Sequence, residues 1–118
     1  MKLYIKIITG FRKDQAYSID AEEAHKAYRI FENPDERTIF NNGLALRGDD
    51  VRMIEPDYVA TMGWNPSHVL DSDDLNEIRK RGIDKKIRDI MLIAQEVARI
   101  EPTENLRLPL SEIRPLLK

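Results

Sequence analysis

The first residues alternate. Leu3, Ile5 and Ile7 fall on one side of an extended chain, and Lys2, Tyr4 and Lys6 on the other. That period of two predicts a half-buried strand. GFRKDQ, residues 10–15, interrupts it as a turn, and Ala16–Ile19 reads as the returning strand of a hairpin. From Asp20 the period lengthens. Asp20 and Glu23 have capping-box spacing, and Ile19 is placed to staple onto Ala24. Ala24, Ala27, Tyr28 and Phe31 recur at helical spacing, so a helix is expected to lay that stripe on the sheet. Asn33-Pro34 ends it, because a residue before proline resists the α region.

TIF (38–40) and LAL (44–46) flank Asn42-Gly43, a hairpin turn whose residues both accept positive φ. Gly48–Asp50 supplies another turn before VRMI (51–54), which runs into Pro56. About five short strands are therefore expected in one small antiparallel sheet packed on one helix. Residues 58–71 read as an irregular connection, tied to the core by a largely buried Trp64. Residues 72–101 are helical, with Asp71 or Ser72 as cap and Asp73 and Asp74 at the positive helix end. Ile83, Ile87, Ile90, Met91, Ala94, Val97 and Ala98 form one stripe. Leu75 and Ile78 fall out of its phase, which predicts a break near Gly82. Residues 102–118 form a tail with Leu106, Leu108, Leu110, Ile113, Leu116 and Leu117, in which Pro109 and Pro115 forbid a long helix. The fold class is α+β in a single domain, 1–118: a strand-rich part (1–57), the connection, the helical part and the tail.

Composition narrows the chemistry. The chain has 118 residues, 42% of them apolar and 34% charged, which suits one globular domain and one core. A net charge of −2 excludes a wholly basic nucleic-acid binder. There are no cysteines, so disulfides, thiolate metal sites and cysteine nucleophiles are excluded. The start carries no long apolar run of signal-peptide or membrane-helix type, so the expectation is a soluble cytoplasmic protein with no membrane contact. In that setting Arg47-Gly48-Asp49 is read as a turn rather than an adhesion signal.

No phosphate-cradling glycine loop or nucleophile elbow is present, and no cofactor or catalytic residue is assigned. His25 reads as a boundary residue of the first helix. His68, followed by Asp71, Asp73 and Asp74, carries a third-ranked reading as a small metal-dependent enzyme, although helix capping explains those acids. The run RKRGIDKKIR places Arg79, Arg81, Lys85 and Arg88 as candidate phosphate contacts, with a solvated helix face as the simpler reading. Leu92 interrupts the polar face of the last helix. With Leu106 and Leu108 of the tail it is a candidate partner-binding surface, for a protein partner or for a homodimer through the C-terminal helix and tail.

VRMIEPDYVATMGWNPSH, residues 51–68, resembles segments of small phage- and prophage-encoded proteins of unassigned activity. In those, an Ile-x-Pro-Asp element is followed by Met-Gly-Trp-Asn. The matching residues are Ile54, Pro56 and Asp57, then Met62, Gly63, Trp64 and Asn65. The resemblance implies a mobile-element accessory protein that binds a host protein or nucleic acid. The leading expectation is thus a non-catalytic regulator or inhibitor acting on a host or phage protein, and the alternative is a nucleic-acid-binding regulator.

Overall fold

The computed structural model describes residues 1–10 and 14–100. β1 (Tyr4–Thr9) and β2 (Gln15–Asp20) pair antiparallel, with Ile7 opposite Tyr17. α1 (Ala24–Glu32) follows, then β3 (Arg37–Ile39), β4 (Ala45–Arg47) and β5 (Val51–Pro56). β5 returns to β1 antiparallel, with Ile7 opposite Ile54 and a bulge between Ile8 and Thr9. The helical part contains α2 (Tyr58–Met62), α3 (Ser72–Lys80) and α4 (Ile83–Ile100). The α+β class holds, but the five strands divide into a three-stranded sheet, β2-β1-β5, and a separate hairpin, β3-β4. The single five-stranded sheet is therefore corrected. The three-residue strands of this hairpin pair only with each other, and β3 packs on α1.

Alternation in β1 works as predicted: Ile5, Ile7 and Thr9 are buried. The stripe of α1 is rotated. Ala24, Ala27, Tyr28 and Ile30 are buried, while Phe31 is 43% exposed. The hairpin and the turn at Gly48 cover the Ile30 side of α1, which the helical period alone did not reveal. On the opposite side, α4 lies along α1 and runs parallel to it. Gln95 faces the Tyr28 hydroxyl, and one turn further on Arg99 binds Glu32 at 3.3 Å. Small buried residues, Ala24 and Ala27 on α1 and Ala94 and Ala98 on α4, suit close helix packing.

Three turns depart from expectation. Helix entry uses Asp20, which accepts the Glu22 N–H at 3.0 Å, and a 3-10 turn over Ala21–Glu23 precedes α1. The capping box does not form, because Glu23 is engaged elsewhere. Its carboxylate, 6% exposed, accepts the Asn41 N–H at 2.7 Å and binds Lys26 Nζ at 3.1 Å, fastening the β3-β4 hairpin tip to α1. In the hairpin only Gly43 takes positive φ (89°). The loop has three residues, with Phe40 and Leu44 closing it and the glycine in the left-handed position.

Gly48 is a glycine for a different reason from positive φ. A Cβ there would lie 2.0 Å from the Ile30 carbonyl oxygen and 2.6 Å from that of Asn33. Arg47-Gly48-Asp49 is thus a tight corner. Gly48 is buried, and Arg47 and Asp49 pair with each other at 3.5 Å.

The break at Gly82 is present, with φ of 74°, and it separates α3 from α4. Asp71 caps α3 in a capping box with Asp74. The buried stripe of α4 comprises Ile83, Ile87, Met91, Ala94, Val97 and Ala98. Ile90 is half-buried.

Replacing Glu23 by alanine leaves the Asn41 N–H unpaired and Lys26 without its carboxylate. The expected loss is about 2 kcal/mol in urea unfolding, the usual scale for a charge-assisted hydrogen bond with a buried partner. A loss within experimental error would show that the hairpin is not held there.

Candidate functional site

The segment 58–71 is not irregular throughout. Asp57 caps α2 by accepting the Ala60 N–H at 3.0 Å, and Gly63 ends the helix in the left-handed conformation. Thr61 Oγ1 donates to the Asp57 carbonyl at 2.7 Å and accepts the Tyr4 N–H at 3.0 Å, which docks α2 on the start of β1. Trp64 packs on the edge of the core, with part of its surface left in solvent, and so anchors the connection. Its ring lies 4.9 Å from that of His68.

His68 Nε2 is 2.8 Å from Asp74 Oδ2, and this contact is the largest cause of an Asp74 pKa below the ordinary carboxylate range. Asp74 also accepts the Asp71 N–H, so both acids are committed to capping α3. Among the described residues no group of three His, Cys, Asp or Glu side chains is arranged to hold a metal ion. His25 is half-buried, and burial lowers its pKa.

The basic run gathers at the α3–α4 corner, and half of its cations are locally paired. Arg81 binds Glu77 at 2.8 Å, Lys85 binds Asp89 at 2.7 Å, and Arg88 binds Asp84 at 3.0 Å, each four residues apart. Arg79, Lys80 and Lys86 project into solvent. Such exposed pairs are weak, so they lower the local positive potential without locking the side chains.

The better-defined arrangement lies beside this corner, in a cleft of 390 Å³ between β5, α2 and α4. Its wall combines apolar Ile54, Pro56, Leu70 and Met91 with two cations, Lys6 and Arg88, and two acids, Glu55 and Asp57. The Tyr58 hydroxyl donates to Asp84 Oδ1, and Arg88 Nε reaches the same oxygen. Burial first, then the Asp84 carboxylate, raises the Tyr58 pKa. The Tyr58 bond is the largest cause of a lowered Asp84 pKa, and Asp84 in turn raises that of Arg88. Lys6 pairs with Glu55 at 3.1 Å on the adjoining sheet face. Tyr58 and Asp84 escape a sequence reading because they are 26 positions apart with no shared period.

Leu92 is 61% exposed on the outer side of α4, and Ile100 at its end is 60% exposed. The other two predicted partner residues, Leu106 and Leu108, lie outside the described residues. No helix among the described residues is long and apolar enough to cross a membrane. Comparison with protein-family models, with curated proteins and with solved structures finds no match.

The Tyr58–Asp84 bond has a pH signature. A lowered folded pKa means that Asp84 contributes stability above its unfolded value, about 4, and loses it as pH falls through the folded value. Tyr58→Phe is expected to move the Asp84 carboxyl up towards the ordinary range and to flatten the loss of stability below about pH 4. A carbon-13 titration of Asp84 checks this. An unchanged midpoint would show that the hydroxyl does not hold the charge.

Proposed function

We propose that the chain is a non-catalytic binding protein: a phage or mobile-element accessory factor that works in the cytoplasm by contacting and restraining a host protein. The observation that carries the reading is the outer side of α4, where Leu92 and Ile100 stand in solvent. Around Leu92 the cation of Lys85 is already balanced by Asp89, and that of Arg99 by Glu32. An apolar centre with a charge-compensated surround is the anatomy of a protein contact, where buried charge is costly and the rim stays polar. The Leu106 and Leu108 positions of the tail extend the same apolar character in sequence. The likeness of residues 51–68 to phage-encoded segments supports the mobile-element setting.

A second reading, nucleic-acid binding at the α3–α4 corner, is favoured by the exposed Arg79, Lys80 and Lys86 beside the predicted contacts Arg81, Lys85 and Arg88. A homodimer is the form of the first reading in which the partner is a second copy.

Leu92→Asp separates these. The side chain is exposed, so stability should change by no more than about 0.5 kcal/mol. Retention of a host protein on the immobilised chain should be lost, or, for a dimer, the mass from light scattering should halve. If the variant keeps every partner and its mass, the α4 surface is not the contact. Binding of DNA or RNA that weakens steeply with salt would replace it with the second reading.

A further inference from the structure

The strand ladders determine which backbone groups are left over. The Asp57 N–H donates to the Tyr4 carbonyl at 3.0 Å, and in the same register Lys6 is opposite Glu55 and Ile8 opposite Met53. In an antiparallel pair the directly bonded residues alternate, so the even residues of β1 bond to β5 and the odd ones turn towards β2. The Ala21 N–H donating to the Leu3 carbonyl at 3.0 Å agrees with this on the other side. Ile54, opposite Ile7, therefore points its N–H and C=O away from β1, at the outer edge of the sheet. β5 is the last strand of its sheet on that side.

The two sheet edges are treated differently. At β2, the Asn42 side-chain amide reaches the Ser18 carbonyl at 3.5 Å, so the hairpin tip shields that edge. At β5, Ile54 and Pro56 open onto the cleft shared with Leu70, Arg88 and Met91. Pro56 has no N–H, which shortens the usable edge and protects it from indefinite strand stacking. What remains is one N–H and two carbonyls, next to a cavity of 390 Å³, within the range of ligand-sized pockets.

We propose that the open edge of β5 and this cleft form a docking site for a short extended peptide segment of a partner protein. The segment adds as a strand beside Ile54. Its central residue exchanges both backbone hydrogen bonds with Ile54 and carries an apolar side chain that enters the cleft towards Leu70 and Met91. Lys6 and Arg88 line the same cleft beside Glu55 and Asp57, and both cations are already paired, with Glu55 and Asp84, so the segment is selected by its backbone and its apolar side chain rather than by charge. An unpaired strand edge specifies its occupant more closely than an apolar surface does, because only an extended backbone satisfies it. This site is separate from the Leu92 surface, and neither depends on the other.

The test uses the full chain labelled with nitrogen-15 and the acetylated, amidated pentapeptide Thr-Ser-Val-Ser-Thr. In the free protein the Ile54 amide should exchange with solvent as an unprotected edge group. Added peptide should shift the Ile54 and Met91 resonances and slow that exchange. Methylating the backbone nitrogen of the central valine removes one hydrogen bond and should weaken binding about tenfold, the factor that 1.4 kcal/mol represents. Four results would overturn the proposal: an Ile54 amide already protected in dilute free protein, resonances unmoved at millimolar peptide, equal affinity for the methylated peptide, or protection that grows with protein concentration alone. The last would assign the edge to a second copy of the chain. The fate of Leu92 contacts is read in a different experiment, so failure here leaves the α4 reading standing.

Discussion

At Gly48 the chain passes so close to the end of α1 that no side chain fits between them. The Ile30 and Asn33 carbonyl oxygens occupy the space a Cβ would need. Two hydrogen bonds hold the approach: the Gly48 N–H to the Glu36 carbonyl and the Asp49 N–H to the Pro34 carbonyl, both 2.9 Å. β5 begins three residues later, so this corner determines where the strand enters the sheet. Everything after it inherits that placement: the Ile54 edge, α2 capped by Asp57, and the cleft that α4 completes.

α1 is the element around which the rest is arranged. Glu23 ties its beginning to the tip of the β3-β4 hairpin, and Gly48 lies against its end. One side carries the sheet and the hairpin, and another carries α4 through small residues on both helices. Buried apolar area provides most of the stabilisation in such an arrangement, and the polar fastenings select one register among similar ones. The ion pairs four residues apart at the α3–α4 corner and along α4 are exposed, so they add little to stability and much to the character of the surface.

Much of this was legible because it is local. Alternation in Leu3–Ile7, the cap at Asp71, the out-of-phase Ile78 that marks the Gly82 break, and the apolar stripe of α4 all follow from periods of two or 3.6. What failed needed knowledge of the neighbours. Phe31 and Ile30 are equally apolar, and only the hairpin decides which is covered. Glu23 has perfect capping-box spacing, yet a backbone N–H 18 positions away claims it. Residues 58–62 form a helix shorter than any period test can detect, and the Asp57 cap and left-handed Gly63 that bound it emerge only in the structure. The glycine of Arg47-Gly48-Asp49 was recognisable as a corner, but its cause was steric crowding rather than a positive φ. In the Tyr58–Asp84–Arg88 group, which joins α2 to α4, the four-residue spacing of Asp84 and Arg88 was visible, but the Tyr58 contact 26 positions away has no sequence signature.

The most direct measurement is urea unfolding of Gly48→Ala, read together with the backbone spectrum of the folded variant. Alanine adds one methyl group at a position where φ is not positive, so conformational freedom contributes little and contact with backbone oxygens dominates. A loss of about 3 kcal/mol, at the upper end of what overpacking costs, is expected, with resonance changes running from the end of α1 through β5 to Ile54. Unchanged stability with changes confined to residues 47–49 would contradict the account, because the corner could then move without disturbing the strand and cleft that depend on it.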